Sequence, residues 1–290
     1  MCDTSGLTYD LTVTAGFYSL MCGVLAGFAF LALTLVVSGS HRRDKGIWKA
    51  IHRETDARLL LSLGTAFLGL VVAAFQYANL AGERGCALLE GRAASEEFLG
   101  GVAFVFSTLL LFYAVVQLVT QSDAPYIGDH LRALVAILAP PLAILLLALD
   151  AVDVASTPFR SAGAGQLRPE QTLFTRQIEL VAVWLPIGLL GLCLLCVILG
   201  WRRRRGGLGH DRTWRGTIRF AHPYVFLAFA LAAVARSTML PEAQPWARIG
   251  APEVVFWLAS CSAAVLLQSV LLCFKVHTVP AANSLGTADE

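Results

Sequence analysis

Charge is the scarcest property of this chain. Only 14% of its 290 residues are Asp, Glu, Lys or Arg, 57% are hydrophobic and the mean hydropathy is +0.67, whereas about 25% of the residues of a soluble domain are charged. That balance excludes a water-soluble globule and points to a lipid solvent. Lysine is scarcer still, with three of the 22 basic residues, Lys45, Lys49 and Lys275. No lysine stands within the last apolar run, so a retinal Schiff base has no attachment point there. His and Asp are too few inside the apolar runs to make the zinc set of an intramembrane hydrolase, and His222 lacks a second histidine for haem ligation. No cofactor is expected. No nucleophile and base can be paired, which ranks an enzyme behind the non-catalytic readings. A cleaved signal peptide needs a basic start, and Asp3 and Asp10 stand there instead, so the first apolar run is expected to be retained.

What the sequence does have is long uncharged runs. They predict an all-α bundle of seven transmembrane spans, at about 11–38, 59–81, 98–121, 132–149, 180–201, 220–241 and 254–274. Each is near the roughly 20 residues needed to cross a hydrocarbon core of about 30 Å. The expectation is a single domain over residues 1–275 with a flexible tail over 276–290. In the first span Gly23 and Gly27 form a GxxxG, read as a close helix contact within the bundle, which also leaves a homo-oligomer open. Pro140 and Pro141, in the middle of the fourth, should kink or break it. The polar stretch from Asp150 to Glu179 reads as the longest connection.

Arginine supplies the orientation. Trp201 to Arg219 carries seven arginines against the single acid Asp211, and His41 to Arg58 holds six basic residues against three acids. Such loops remain on the cytoplasmic side during insertion, which puts the N-terminus outside and the C-terminus inside. The rarity of lysine beside abundant Ala, Leu and Arg suggests a GC-rich bacterial genome and hence a bacterial cytoplasmic membrane. The basic clusters do not form a face that could follow a phosphate backbone, so nucleic acid is not an expected partner. Membrane lipids are, and Arg202, Arg203, Arg204 and Arg205 are candidates for contact with anionic lipid or a protein partner.

Within or beside the spans the candidate polar residues are Arg236, Glu253, Glu97, Glu179, Gln76, Gln117, Gln268 and His222. Asp10, Glu97, Glu179 and Glu253 each stand where a span running inward begins. They read as helix-start acids complementing the helix dipole, with Ser95 as an N-cap, and otherwise as an acidic vestibule that concentrates cations. Arg236 is the one strong base inside a span, and Glu253 is its expected counter-ion. His222, followed by Pro223, reads as an interfacial residue opening the sixth helix, with a proton relay as the sharper alternative. The three glutamines fit interhelical hydrogen bonds as well as a substrate path. Cys193-Leu-Leu-Cys196 reads as packing in mid-helix, whereas Cys2 and Cys86 would both be external and could pair.

Spans one to three and five to seven share an orientation and a basic first loop. This 3+1+3 arrangement resembles, in topology alone, the parallel repeat of the sugar-transporting SWEET family. The reading is an integral membrane protein whose molecular function the residues leave undetermined, with small-solute or ion transport or permeation favoured. The alternative is a scaffold or sensor that binds a partner or anionic lipid through its arginine-rich loops.

Overall fold

The computed structural model describes residues 11–40, 49–82, 91–120, 125–161, 169–205, 212–240 and 249–273. These form seven helices, α1 (Leu11–Ser40), α2 (Lys49–Gly82), α3 (Gly91–Thr120), α4 (Pro125–Ser161), α5 (Pro169–Arg205), α6 (Arg212–Thr238) and α7 (Ala251–Cys273). All but α6 are long and apolar enough to cross a membrane. In α6, Arg212, Arg215 and Arg219 occupy the first turns and Arg236 the last, which dilutes the apolar stretch between them.

Neighbouring helices run antiparallel. Tyr18 of α1 lies on Tyr77 of α2 and Phe30 on Phe67, Gln76 of α2 reaches Glu96 of α3, and Thr175 of α5 reaches Ala155 of α4. The starts of α1, α3, α5 and α7 therefore share one end of the bundle, called here the upper end. The centre is α3, which packs against α1, α2, α4, α6 and α7 and buries Phe98, Leu99, Val102, Ala103, Phe106 and Leu109 almost completely. The outermost helices show the opposite. Val13, Phe17, Leu20, Val24, Leu31 and Leu35 are exposed along one stripe of α1. A stripe of that length facing outward is stable only where the surroundings are themselves apolar.

Several expectations need correcting. The polar stretch from Asp150 to Glu179 is mostly helix, since α4 runs on to Ser161 and α5 begins at Pro169. Leu147, Ala151, Val154 and Ala155 are buried at helical spacing, so the apolar face continues beneath the polar residues. Pro140 and Pro141 do not interrupt α4. The carbonyl that Pro140 leaves without its backbone donor is that of Ala136, and the Ser269 hydroxyl of α7 donates to it at 3.1 Å. Ser95 is not an N-cap, because α3 begins four residues earlier; its hydroxyl accepts the Ile249 N–H at 3.1 Å. His222 and Pro223 lie well inside α6 rather than at its start. Gly23 and Gly27 meet nothing within 4 Å and face outward, so they make no contact within the bundle. The two halves also pack differently. α5 lies on α4 and α7 while α6 lies on α2 and α3, so α5, α6 and α7 do not close into a counterpart of the first three helices.

Candidate functional site

In the upper half, four helices bring polar groups onto one stripe of α3. Glu97, Gly100 and Gly101 are three and four residues apart and share a helix face. Gly100 lies against α2: a Cβ there would fall 3.3 Å from Tyr77 Cζ and 3.6 Å from Gln76 Cδ. Gly101 lies against α4, where a Cβ would fall 2.5 Å from Asp150 Oδ2 and 3.2 Å from Leu147 Cδ2. The missing side chains are what admit the amide, the phenol and the carboxylate to the central helix. On the fourth side Tyr18 of α1 stacks on Tyr77 with ring centroids 5.2 Å apart, and Phe104 flanks Tyr18 at 6.0 Å.

The electrostatics around Asp150 are one-sided. Glu97 is 3% exposed, Asp150 is half-buried, and among the described residues the charges acting on Asp150 are the carboxylates of Glu97 and Asp153. Both tyrosines feel Asp150 and Glu97 as well. Two ionised carboxylates so placed in an apolar interior repel one another, and a proton or a small cation relieves the repulsion. All the nearby side-chain acceptors are oxygens: two carboxylates, two phenols and the Gln76 carbonyl. Among the described residues no group of three or more His, Cys, Asp or Glu could hold a metal ion.

A second polar node lies lower down. His222 of α6 is 1% exposed, its ring 5.0 Å from Tyr113 of α3 and 4.1 Å from Phe226. Gln268 of α7, also 1% exposed, donates from Nε2 to Leu109 O at 2.8 Å. Between the nodes Phe106 packs on Phe226 and Phe229, and Phe229 on Trp257. The backbones of α6 and α7 barely meet; side chains join them instead, with Arg236 at the top of the seam. Its Nε and Nη2 donate to the two Glu253 oxygens at 2.7 and 3.1 Å.

The sequence candidates thus divide. Glu97 and Gln76 lie at the chamber, His222 and Gln268 form the lower node, and Arg236 and Glu253 pair with each other. Glu179 is exposed on the outer side of α5 and begins no helix, and Gln117 is half-buried near the lower end of α3, with its backbone carbonyl taken by Thr120 Oγ1. Arg202 is exposed. Asp10, Cys2, Cys86 and the side chains of Arg203, Arg204 and Arg205 lie outside the described residues, as does the tail. Sequence reading missed Asp150, Tyr18 and Tyr77. Asp150 was legible in principle, because the 17-residue uncharged run before it is short for a span.

The fold and site define a helical protein with six helices fit to cross a membrane and a buried acidic chamber in its upper half. No family model matches the chain, and neither a curated protein nor a solved structure does.

Proposed function

We propose that this protein moves a small monovalent cation across a membrane by way of the upper chamber. The observation that carries the reading is Asp150, set against Gly101 and facing Glu97 with only carboxylates acting on it among the described residues. A bundle selected for stability alone gains nothing from setting Asp150 beside a second carboxyl on its central helix. A cation site needs that surplus of negative charge, and Tyr18, Tyr77 and Gln76 add oxygen acceptors around it. The basic clusters at Arg42 to Arg58 and Arg202 to Arg219 support an orientation with the upper end outside, through the positive-inside bias.

The test is flux into liposomes containing the purified protein, with sodium, potassium and tetramethylammonium as probes. At least one should enter faster than into empty liposomes, and Asp150→Asn should slow it by about tenfold or more, equal to roughly 1.4 kcal/mol of barrier. Entry of none of the three above background sinks the reading. Orientation is checked separately, by labelling a cysteine placed at Gly163 and another at Gly207 in intact cells. The first should react from outside and the second only after permeabilisation.

A further inference from the structure

The upper chamber has two unlike sides. α1 and α2 line one and α4 lines the other; the two sides barely meet, and α3 is the floor between them. On the α4 side, a Cβ at Gly101 would meet one carboxylate oxygen of Asp150 and Leu147 Cδ2. On the α2 side the nearest atoms are carbon. A Cβ at Gly100 would fall 3.3 and 3.5 Å from Tyr77 Cζ and Cε1 and 3.6 Å from Gln76 Cδ. Phe104, three residues beyond Gly101 and four beyond Gly100, stands on the same face of α3 one turn lower. It is 7% exposed and its ring lies 6.0 Å from that of Tyr18. Charge is thus gathered on one side of the stripe, and aromatic carbon on the other and below.

Gln76 shows what the aromatic side still lacks. Its Nε2 donates to Glu96 O at 3.2 Å, which fixes the amide. Its Oε1 then stands on the far side of Cδ from that nitrogen, buried and without a hydrogen-bond partner, on a residue only 9% exposed. An acceptor stranded in an apolar interior is costly until a donor reaches it.

Resting on the cation reading above, we infer that the guest of this chamber is a small organic ammonium ion that carries a hydrogen-bond donor, an amino alcohol being the simplest such class. A bare alkali ion gives up its water where a ring of oxygens replaces it. Here Asp150 rests on Gly101 and the Gln76 amide on Gly100, adjacent positions about 100° apart around α3. Their oxygens approach from different sides and do not close a ring. An amino alcohol matches that division. Its charged head lies against Asp150, its carbon body against Leu147, Phe104 and Tyr77, and its hydroxyl donates to Gln76 Oε1. A mostly apolar lining with a few placed polar groups is the usual make-up of a small-molecule site, and aromatic surroundings suit alkylated ammonium ions.

The experiment is thermal unfolding of the full-length protein in detergent, with chloride salts at equal concentration. The probes are choline, propyltrimethylammonium, which replaces the choline hydroxyl by a methyl group, and potassium. Choline should raise the midpoint by about 3 °C or more relative to potassium, and propyltrimethylammonium by less than choline. Asp150→Asn should remove both shifts. Gln76→Leu should leave the propyltrimethylammonium shift and erase the advantage of choline over it. Equal shifts from choline and potassium, or a choline shift unchanged in Asp150→Asn, overturn the organic guest; sodium or potassium entry into liposomes then leaves the cation reading standing alone. A choline shift that Asp150→Asn removes, with no ion entering liposomes, choline included, supports the guest and removes the transport reading. If Gln76→Leu does not fold, the two organic ions in wild type decide, and equal shifts from them overturn the hydrogen-bond donor.

Discussion

Glu253 and Asp150 stand toward the same end of the bundle in opposite circumstances. Glu253 opens α7 and faces a guanidinium that grips both its oxygens. Asp150 lies on α4 against the bare backbone of α3, and the charges acting on it among the described residues are carboxylates. The first arrangement is what a helix start and a nearby base produce when charge is being neutralised. The second sets two carboxyls together in a place where ionising both is expensive. The contrast separates a fastening from a site: removing Glu253 should loosen the fold, whereas removing the carboxyl of Asp150 should slow movement of a cation without loosening it.

The largest expected effect comes from closing the space on which this contrast depends. Gly101→Val puts branched carbon where Asp150 Oδ2 and Leu147 Cδ2 already lie at 2.5 and 3.2 Å from the first added atom. Overfilling of this kind costs about 1–3 kcal/mol. Thermal unfolding in detergent should show a clear loss, and cation entry should vanish; wild-type behaviour in both would mean that α3 and α4 are not so close. Asp150→Asn sharpens the contrast from the other side. It should reduce cation entry by about tenfold or more with thermal stability equal to or above wild type, because like charges no longer face one another. A stability loss as large as that of Gly101→Val would make Asp150 a structural residue.

How much of this could be read from residues alone follows from the kind of signal involved. The helices were legible because an uncharged run of about 20 residues has few alternatives in lipid. The pairing of Arg236 with Glu253 was legible too, because the segment between them is short and neighbouring spans tend to touch. The chamber was not. Asp150 follows an apolar run among Asp, Ser and Thr, and composition alone makes it a loop residue; only the buried spacing of Leu147, Ala151 and Val154 shows that α4 continues. Gly100 and Gly101 look like two more small residues in a span until Tyr77 and Asp150 are seen resting on them. The outward-facing GxxxG teaches the converse, since a motif with a well-known meaning meets nothing within the bundle.

A smaller effect is expected at the fastening. Arg236 and Glu253 are partly exposed, with side-chain exposures of 37% and 26%, so the pair is worth about 1 kcal/mol despite its bidentate geometry. Arg236→Ala should lower thermal stability modestly, and adding Glu253→Gln should restore part of the loss by removing the stranded carboxylate. Strictly additive losses would show no coupling between them, and Glu253 would then differ little from an ordinary helix-start acid.

The smallest expected effect concerns how α4 carries two prolines and still delivers Asp150 to the chamber. Ser269 Oγ lies 3.1 Å from Ala136 O, the carbonyl that Pro140 deprives of its backbone donor, and 3.2 Å from Val265 O in its own helix. One hydroxyl proton serves both acceptors, and Cys193 Sγ at 3.5 Å can supply a further donor to the oxygen. Ser269→Ala should therefore cost about 1 kcal/mol or less, the usual worth of one such bond with its partner left buried. Pro140→Ala restores an N–H that can close onto Ala136 O within α4, so in that background Ser269→Ala should cost measurably less. Thermal unfolding of the four proteins decides it. An equal cost in both backgrounds would show that Ser269 serves its own helix, and that α4 passes its prolines without help from α7.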